Sequence, residues 1–308
     1  MKKILFFIIF ILLVFISFSK NNILILSSYS PDYLWTMSTI EGIRSVFKDN
    51  DNVIIYEEYM DTKKFTRKDH ILNLYSFYKE KYKNINIDYI IALDDSAVSF
   101  IIDYGSIFKY KKVFFTGVNN DLLRKEAVER NFQGIFSEFS VKKNIDLIKL
   151  VSPQVKTIIL VNDDKTETSA ELEKEFDSVA LMYKDISFIK INNLSHEELK
   201  NYFASYDRKA YVLLGLYLTD KDGIPMKTSD IIKILDDNKV NYNIMWDFYQ
   251  YGNFTAGYVT SGFSLGKKLA ELIENPETFP DDFYFTIPGD YIINYKEYKI
   301  KNISLKNT

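Results

Sequence analysis

Cysteine is absent from this chain of 308 residues. That excludes a disulfide framework, a thiolate nucleophile and a lipid-bearing cysteine. Histidine is almost as scarce: His70 and His196 stand alone, both in polar stretches that read as helical. A histidine-based metal site and a Ser-His-Asp triad therefore have no support, and no metal or cofactor is expected. Basic blocks are missing as well. The net charge is -3, with Lys, Asp and Glu spread along the chain, so no nucleic-acid partner is expected. After residue 18 there is no second long apolar run, and no low-complexity linker interrupts the chain.

What is present describes a globular protein. The hydrophobic fraction is 47% and the charged fraction 26%, enough to bury a full core. A length of 308 residues implies two ordinary domains or one bilobed unit. Tyr (23) and Phe (24) are abundant, with frequent Lys, Ile and Asn and scarce Arg. That profile reads as the codon bias of an AT-rich genome, so a single Tyr or Lys carries little weight.

The N-terminus has a layout of its own. Lys2 and Lys3 precede an unbroken apolar run over residues 4–18, and small residues Ser17 and Ser19 flank Phe18. This is the pattern of a secretory signal peptide over residues 1–19, cleaved after Ser19. A retained membrane anchor is the alternative, though the run is short for a span. Export without a lipid anchor favours the periplasm of a double-membraned bacterium.

Beyond the leader, apolar strands alternate with amphipathic helices. Strands are expected at 22–28, 53–59, 88–93, 111–119 and 134–139, with helices at 32–49, 66–83, 95–104 and 121–130 between them. The pattern restarts with helix 141–151 and strands at 156–162, 186–192, 209–217, 242–246 and 256–260, then helix 261–275. Thr66 is the expected cap of the second helix, and Ser195 with Glu198 forms a capping box. Such alternation predicts an α/β fold: two doubly wound parallel-sheet lobes with a hinge. The joint falls near 134–141.

In sheets of this kind a ligand sits beyond the carboxyl ends of the strands. Those ends supply the candidates Ser27, Ser28, Tyr29 and Trp35; Asp94, Asp95 and Ser96; Gly117 and Asn119; Glu138; Gly215 and Tyr217; and Trp246 and Asp247. Each has a structural alternative. The Asp94-Asp95-Ser96 run can cap the third helix, Ser27 and Ser28 can satisfy loop backbone, and the aromatics can be core. Gly117 and Gly215 read as turn glycines with positive φ. Asn162-Asp163-Asp164 reads as a turn and cap first. No nucleophile or base accompanies the paired acids, so binding rather than catalysis is expected.

The motifs "ILSSYSPDYLWTMSTIEGI" (25–43), "EEYMDTKKF" (57–65), "DYIIALDDSAVSF" (88–100), "KKVFFTGVNN" (111–120) and "MWDFYQYGNFTAGYVTSGFSLGKKLAELI" (245–273) occur in that order. Together they resemble bacterial ABC-transporter substrate-binding proteins, the type that includes tryptophan and tyrosine binders, and the related periplasmic sensor regions of histidine kinases. "FSEFS" (136–140) departs from the Gly-Val-x-Glu common there but keeps Glu138, and "DDKTETS" (163–169) lacks the usual turn glycine. The resemblance implies a periplasmic-binding-protein type I-like fold. Lobe 1 would be 20–136 plus about 262–285, and lobe 2 would be 137–261 plus about 286–308. It implies a monomer that binds a small-molecule ligand and meets an ABC permease or a membrane sensor protein. No kinase or output domain follows in the sequence, so the chain reads as a detached binding module. Trp35 would then be a lid or platform at the cleft edge.

Overall fold

The computed structural model describes residues 20–65, 67–275 and 284–300. The leader-like segment 1–19 and the cap expected at Thr66 lie outside the described residues.

Five strands open the fold: β1 (Asn21–Ser27), β2 (Val53–Tyr59), β3 (Tyr89–Leu93), β4 (Lys112–Thr116) and β5 (Gln133–Ser137). Between them run α1 (Leu34–Phe47), α2 (Lys68–Lys81), α3 (Asp94–Tyr104) and α4 (Asp121–Glu129). The next part holds α5 (Val141–Val151), β6 (Thr157–Val161), α6 (Glu167–Ala180), β7 (Ser187–Ile191), α7 (His196–Ala204) and β8 (Ala210–Leu214). It continues through α8 (Thr228–Asp237), β9 (Tyr242–Ile244) and β10 (Ala256–Val259). The chain then passes through α9 (Gly262–Glu274), β11 (Tyr284–Ile287), β12 (Asp290–Ile293) and α10 (Tyr295–Ile300).

Two parallel sheets result. The first has the order β11-β5-β4-β3-β1-β2 and the second β7-β6-β8-β9, with β10 and β12 forming an antiparallel pair. Backbone bonds from Thr255 N to Tyr242 O and from Thr260 N to Met245 O hold the β10 strand beside β9. The α/β doubly wound architecture expected from the sequence is therefore present. The chain passes between the two strand systems after β5, after β10 and between β11 and β12.

The buried stretches of the central strands carry continuous apolar runs because helices cover both faces. Leu24 and Leu26 of β1 face one cluster, with Tyr78, Val98, Ile101 and Phe115. Ile23 and Ile25 face the other, with Ile40, Ile43, Leu265 and Leu269 of α1 and α9. Those two helices meet backbone to backbone. A Cβ on Gly42 would lie 2.1 Å from the Phe263 carbonyl oxygen, and one on Gly266 would lie 2.0 Å from that of Thr39. Only glycine allows that approach, and it fixes α1, which carries Trp35, against the sheet.

Caps follow the sequence in part. Ser195 and Glu198 form the expected capping box. α1 begins at Leu34 without a side-chain cap, two residues later than the expected start at 32. α3 also lacks one: its N-cap is Leu93, so none of Asp94, Asp95 and Ser96 serves as the helix cap.

Candidate ligand-binding site

The strand order reverses between β1 and β3 in the first sheet and between β6 and β8 in the second. Loops leaving strands on either side of such a point diverge and leave a crevice. A cavity of about 830 Å³ lies there, lined from both halves of the chain. The first half supplies Tyr29, Tyr33, Trp35, Lys63, Asp94, Gly117 and Asn119; the second supplies Thr166, Leu216, Leu218, Trp246 and Phe248. Glu138 and Phe139, on the segment leaving β5, line it too.

Asp94 is the chemical centre. It is the first residue of α3, directly after a buried strand, and has φ 68. It is 5% exposed, and its buried Oδ2 has no hydrogen-bond partner among the described residues. Burial, reinforced by the neighbouring Asp95 carboxylate, pushes its pKa up to about 8. The Lys63 charge and a hydrogen bond from Trp35 oppose that shift. Gly117, with φ 75, lets the β4 turn pass close by: a Cβ there would sit 2.4 Å from Asp94 Oδ1.

Aromatic rings surround this carboxyl. Tyr29 and Tyr33 meet edge to face, with centroids 5.0 Å apart at 74°. Burial and the Asp94 charge raise the pKa of both hydroxyls, so they remain neutral donors. Across the cavity Trp246 stacks near Phe248, with centroids 6.4 Å apart at 23°, and lies 6.1 Å from the Phe139 ring. Trp35 packs against the cores of both sheets.

Of the candidates named from sequence, Tyr29, Trp35, Asp94, Gly117, Asn119, Glu138 and Trp246 line the cavity. Asp95 and Ser96 border a smaller hollow of about 480 Å³ beside it. Asp95 accepts from the backbone N–H of Asn119 and Asn120, 3.2 Å each, and so fastens the β4–α4 turn. Glu138 is paired with Lys143 at 2.8 Å.

The other five candidates line neither space. Ser27 is fully buried at the end of β1. Ser28 donates to Leu93 O and accepts from Ala97 N, both at 2.8 Å, joining β1 to α3. Tyr217 is fully buried, its hydroxyl donating to Leu194 O at 2.7 Å and accepting from Leu194 N at 3.0 Å. Gly215 is not among the positive-φ residues; its place is set by Asn162, whose Oδ1 would lie 2.9 Å from a Cβ. Asp247 accepts from Ser38 and Ser261.

Sequence reasoning passed over Tyr33, Lys63, Phe139 and Phe248. Tyr33 and Phe248 stand within three residues of named candidates. Lys63 stands four residues past the end of β2, a strand whose terminus was not searched. Asp163 is buried as expected of a turn: Oδ1 accepts from Ser169 Oγ at 2.7 Å and Oδ2 from Leu218 N at 2.9 Å. Among the described residues no cluster of three His, Cys, Asp or Glu could hold a metal ion, and no helix is long and apolar enough to cross a membrane.

No protein-family model and no curated protein matches the sequence. Solved structures do match in fold. An ABC domain from Streptococcus pneumoniae, solved with L-Trp, has 15% identity and a TM-score of 0.60, covering 94% of this chain and 96% of that one. An ABC transporter solute-binding protein from Bacillus halodurans with bound myo-inositol has 11% identity and a TM-score of 0.59, covering 92% and 99%. A LacI transcriptional regulator from Lactobacillus brevis has 12% identity and a TM-score of 0.57, covering 89% and 100%. At these identities the likeness carries the fold, which is periplasmic-binding-protein type I-like. It does not carry the family that the motifs resemble.

Proposed function

We propose that this protein is an extracytoplasmic solute-binding protein. It captures a small organic molecule between two lobes and delivers it to an ABC permease. Asp94 carries the reading. A left-handed backbone at a non-glycine residue, near-complete burial and an unpartnered carboxylate oxygen are three separate costs at one position. Proteins retain such costs where a site needs them. The cavity in front of it has the size and aromatic lining of a small-molecule site.

A ligand amine or hydroxyl would supply the donor that Asp94 Oδ2 lacks, and the aromatic faces would cover its apolar part. The lobes would be residues 20–136 with 262–285 and 137–261 with 286–308, closing by hinge motion about the three crossings. The leader would export the chain to the periplasm as a monomer. L-Trp and myo-inositol in proteins of this fold are consistent with small organic ligands generally.

The motifs shared with the periplasmic sensor regions of histidine kinases support a second reading. The closed form would then be presented to a membrane sensor protein instead of a permease. Neighbouring permease and ATPase genes, or a kinase gene, separate the two.

Native mass spectrometry of the purified protein should reveal a bound small molecule. Adding that molecule to stripped protein should shrink the radius of gyration in X-ray scattering. A protein that carries nothing, and whose scattering ignores amines, polyols and amino acids alike, is not a solute-binding protein.

A further inference from the structure

The cavity already contains an ammonium group, and it belongs to the chain. Lys63 follows β2 on the loop that reaches over the end of β1. Its Nζ lies 3.9 Å from the Tyr33 ring centroid and 4.5 Å from that of Tyr29. Two rings set edge to face form the corner of an aromatic cage, which attracts cations through the ring quadrupoles. Asp94 lines the same cavity, and its buried Oδ2 lacks a partner. Lys63 and Asp94 feel each other's charge. Yet among the described residues Lys63 makes no ion pair, whereas its neighbour Lys64 pairs with both Asp32 and Asp61.

The loop that carries Lys63 is tied down on either side. Thr62 N and Oγ1 both donate to Ser28 O, at 2.9 and 2.8 Å, and Lys64 N and Phe65 N donate to Asp61 O at 3.0 Å each. The backbone is held while the four-carbon stem stays free, and Lys63 is exposed to the open cleft. Moving its ammonium therefore takes only a change of rotamers.

We propose that Lys63 is a tethered stand-in for the ligand's own cation. Its ammonium occupies the Tyr29–Tyr33 corner before Asp94, and an organic ammonium compound with an aromatic or apolar body enters by displacing it. This inference rests on the reading of the cavity as a ligand site, and it names the class of ligand. An anionic ligand held by Lys63 would have to share the corner with the carboxyl of Asp94, whose charge acts on Lys63 together with that of the buried Asp163. An ammonium there is attracted by both. It also gives Asp94 Oδ2 the close, directional donor that Lys63 does not provide. The tethered lysine then costs the ligand part of its affinity, because the competent form is only a fraction of the total.

The test is calorimetry of the full chain with 2-phenylethylamine, and with 2-phenylethanol as its uncharged twin. Lys63→Met keeps the stem and removes the charge. It should bind the amine about tenfold more tightly than wild type, with the alcohol unchanged. Adding Asp94→Asn should abolish the preference for the amine. Equal or weaker amine binding by Lys63→Met, including no binding by either protein, overturns the proposal. A second measurement does not depend on a variant. Acylation of Lys63 by a succinimidyl ester, followed by peptide mass analysis, should speed up in the presence of N,N-dimethyl-2-phenylethylamine, a tertiary amine that the ester does not consume; protection of Lys63 overturns the proposal. Failure of the underlying reading looks different: wild type then carries no small molecule in native mass spectrometry. A co-purified ligand together with no gain in Lys63→Met leaves the solute-binding reading standing and removes this one.

Discussion

Ser38 and Asp247 are joined across 209 residues of chain: the serine hydroxyl donates to Asp247 Oδ2 at 3.0 Å. Ser38 rides on α1 beside the first sheet, and Asp247 follows β9 of the second. Ser261, at the start of α9, donates to the same oxygen at 2.8 Å. One carboxylate thus gathers three segments at a point where the two halves meet. Ser38→Ala should lower stability by about 1–2 kcal/mol, since the acceptor is charged. It should also raise the radius of gyration in scattering. Ser45→Ala is the control, because Ser45 donates only to Gly42 O within its own helix. Equal effects from both variants would show that the link between the halves carries no weight.

Asp94 sets a second expectation, in the pH dependence of stability. Its folded pKa, about 8, lies above the ordinary carboxyl value. Between the two values the folded state holds a proton that the unfolded state has released. Stability is therefore greatest below the unfolded pKa and falls as pH rises toward 8. Asp94→Asn removes that loss and should stabilise the ligand-free protein by on the order of 2 kcal/mol at neutral pH. Chemical denaturation at pH 5 and pH 8 measures it. The gain should be larger at pH 8 than at pH 5, and a uniform change would mean that Asp94 does not titrate in this range.

The architecture was legible because parallel strands buried on both faces carry continuous apolar runs, as residues 23–26 of β1, 158–161 of β6 and all of β8 do. The helix starts at Ser140, Thr166, Ser195 and Ser261 carry side-chain caps that sequence can show. The cleft residues were legible only in part. The strand-end rule names a place and not a direction. Asp94 and Tyr217 both follow a strand, but one opens on the cavity and the other turns its hydroxyl to Leu194. Lys63 was hidden for another reason: a lone lysine in a lysine-rich chain has no signal until two rings are seen beneath it.

Tyr217 allows a direct check of that distinction. Its hydroxyl bridges the N–H and C=O of Leu194 and it is fully buried. Tyr217→Phe should cost about 1 kcal/mol, because the part-buried Leu194 N–H loses its partner while the carbonyl keeps a bond from Lys221 N. Ligand affinity measured well below the melting temperature should not change. A loss of affinity without a loss of stability would return Tyr217 to the site.

Trp35 has two roles that substitution can separate. The ring packs against the cores of both sheets, and hydrogen bonding from its indole N–H is one of the influences that hold the Asp94 pKa down. That bond favours the ionised carboxylate, so removing it should raise the Asp94 pKa further. Trp35→Phe keeps an aromatic ring and should cost about 1 kcal/mol, whereas Trp35→Ala leaves a cavity and should cost roughly 3 kcal/mol. Carbon-detected NMR of the Asp94 carboxyl gives the decisive reading. Its titration midpoint should move upward in Trp35→Phe, and a cationic ligand should bind more weakly at pH 7 because the carboxyl there is more fully protonated. The affinity deficit should shrink as pH rises and the carboxylate forms in both proteins. If the midpoint stays where it is in wild type, the indole N–H does not act on Asp94, and Trp35 is a packing residue that happens to border the cavity.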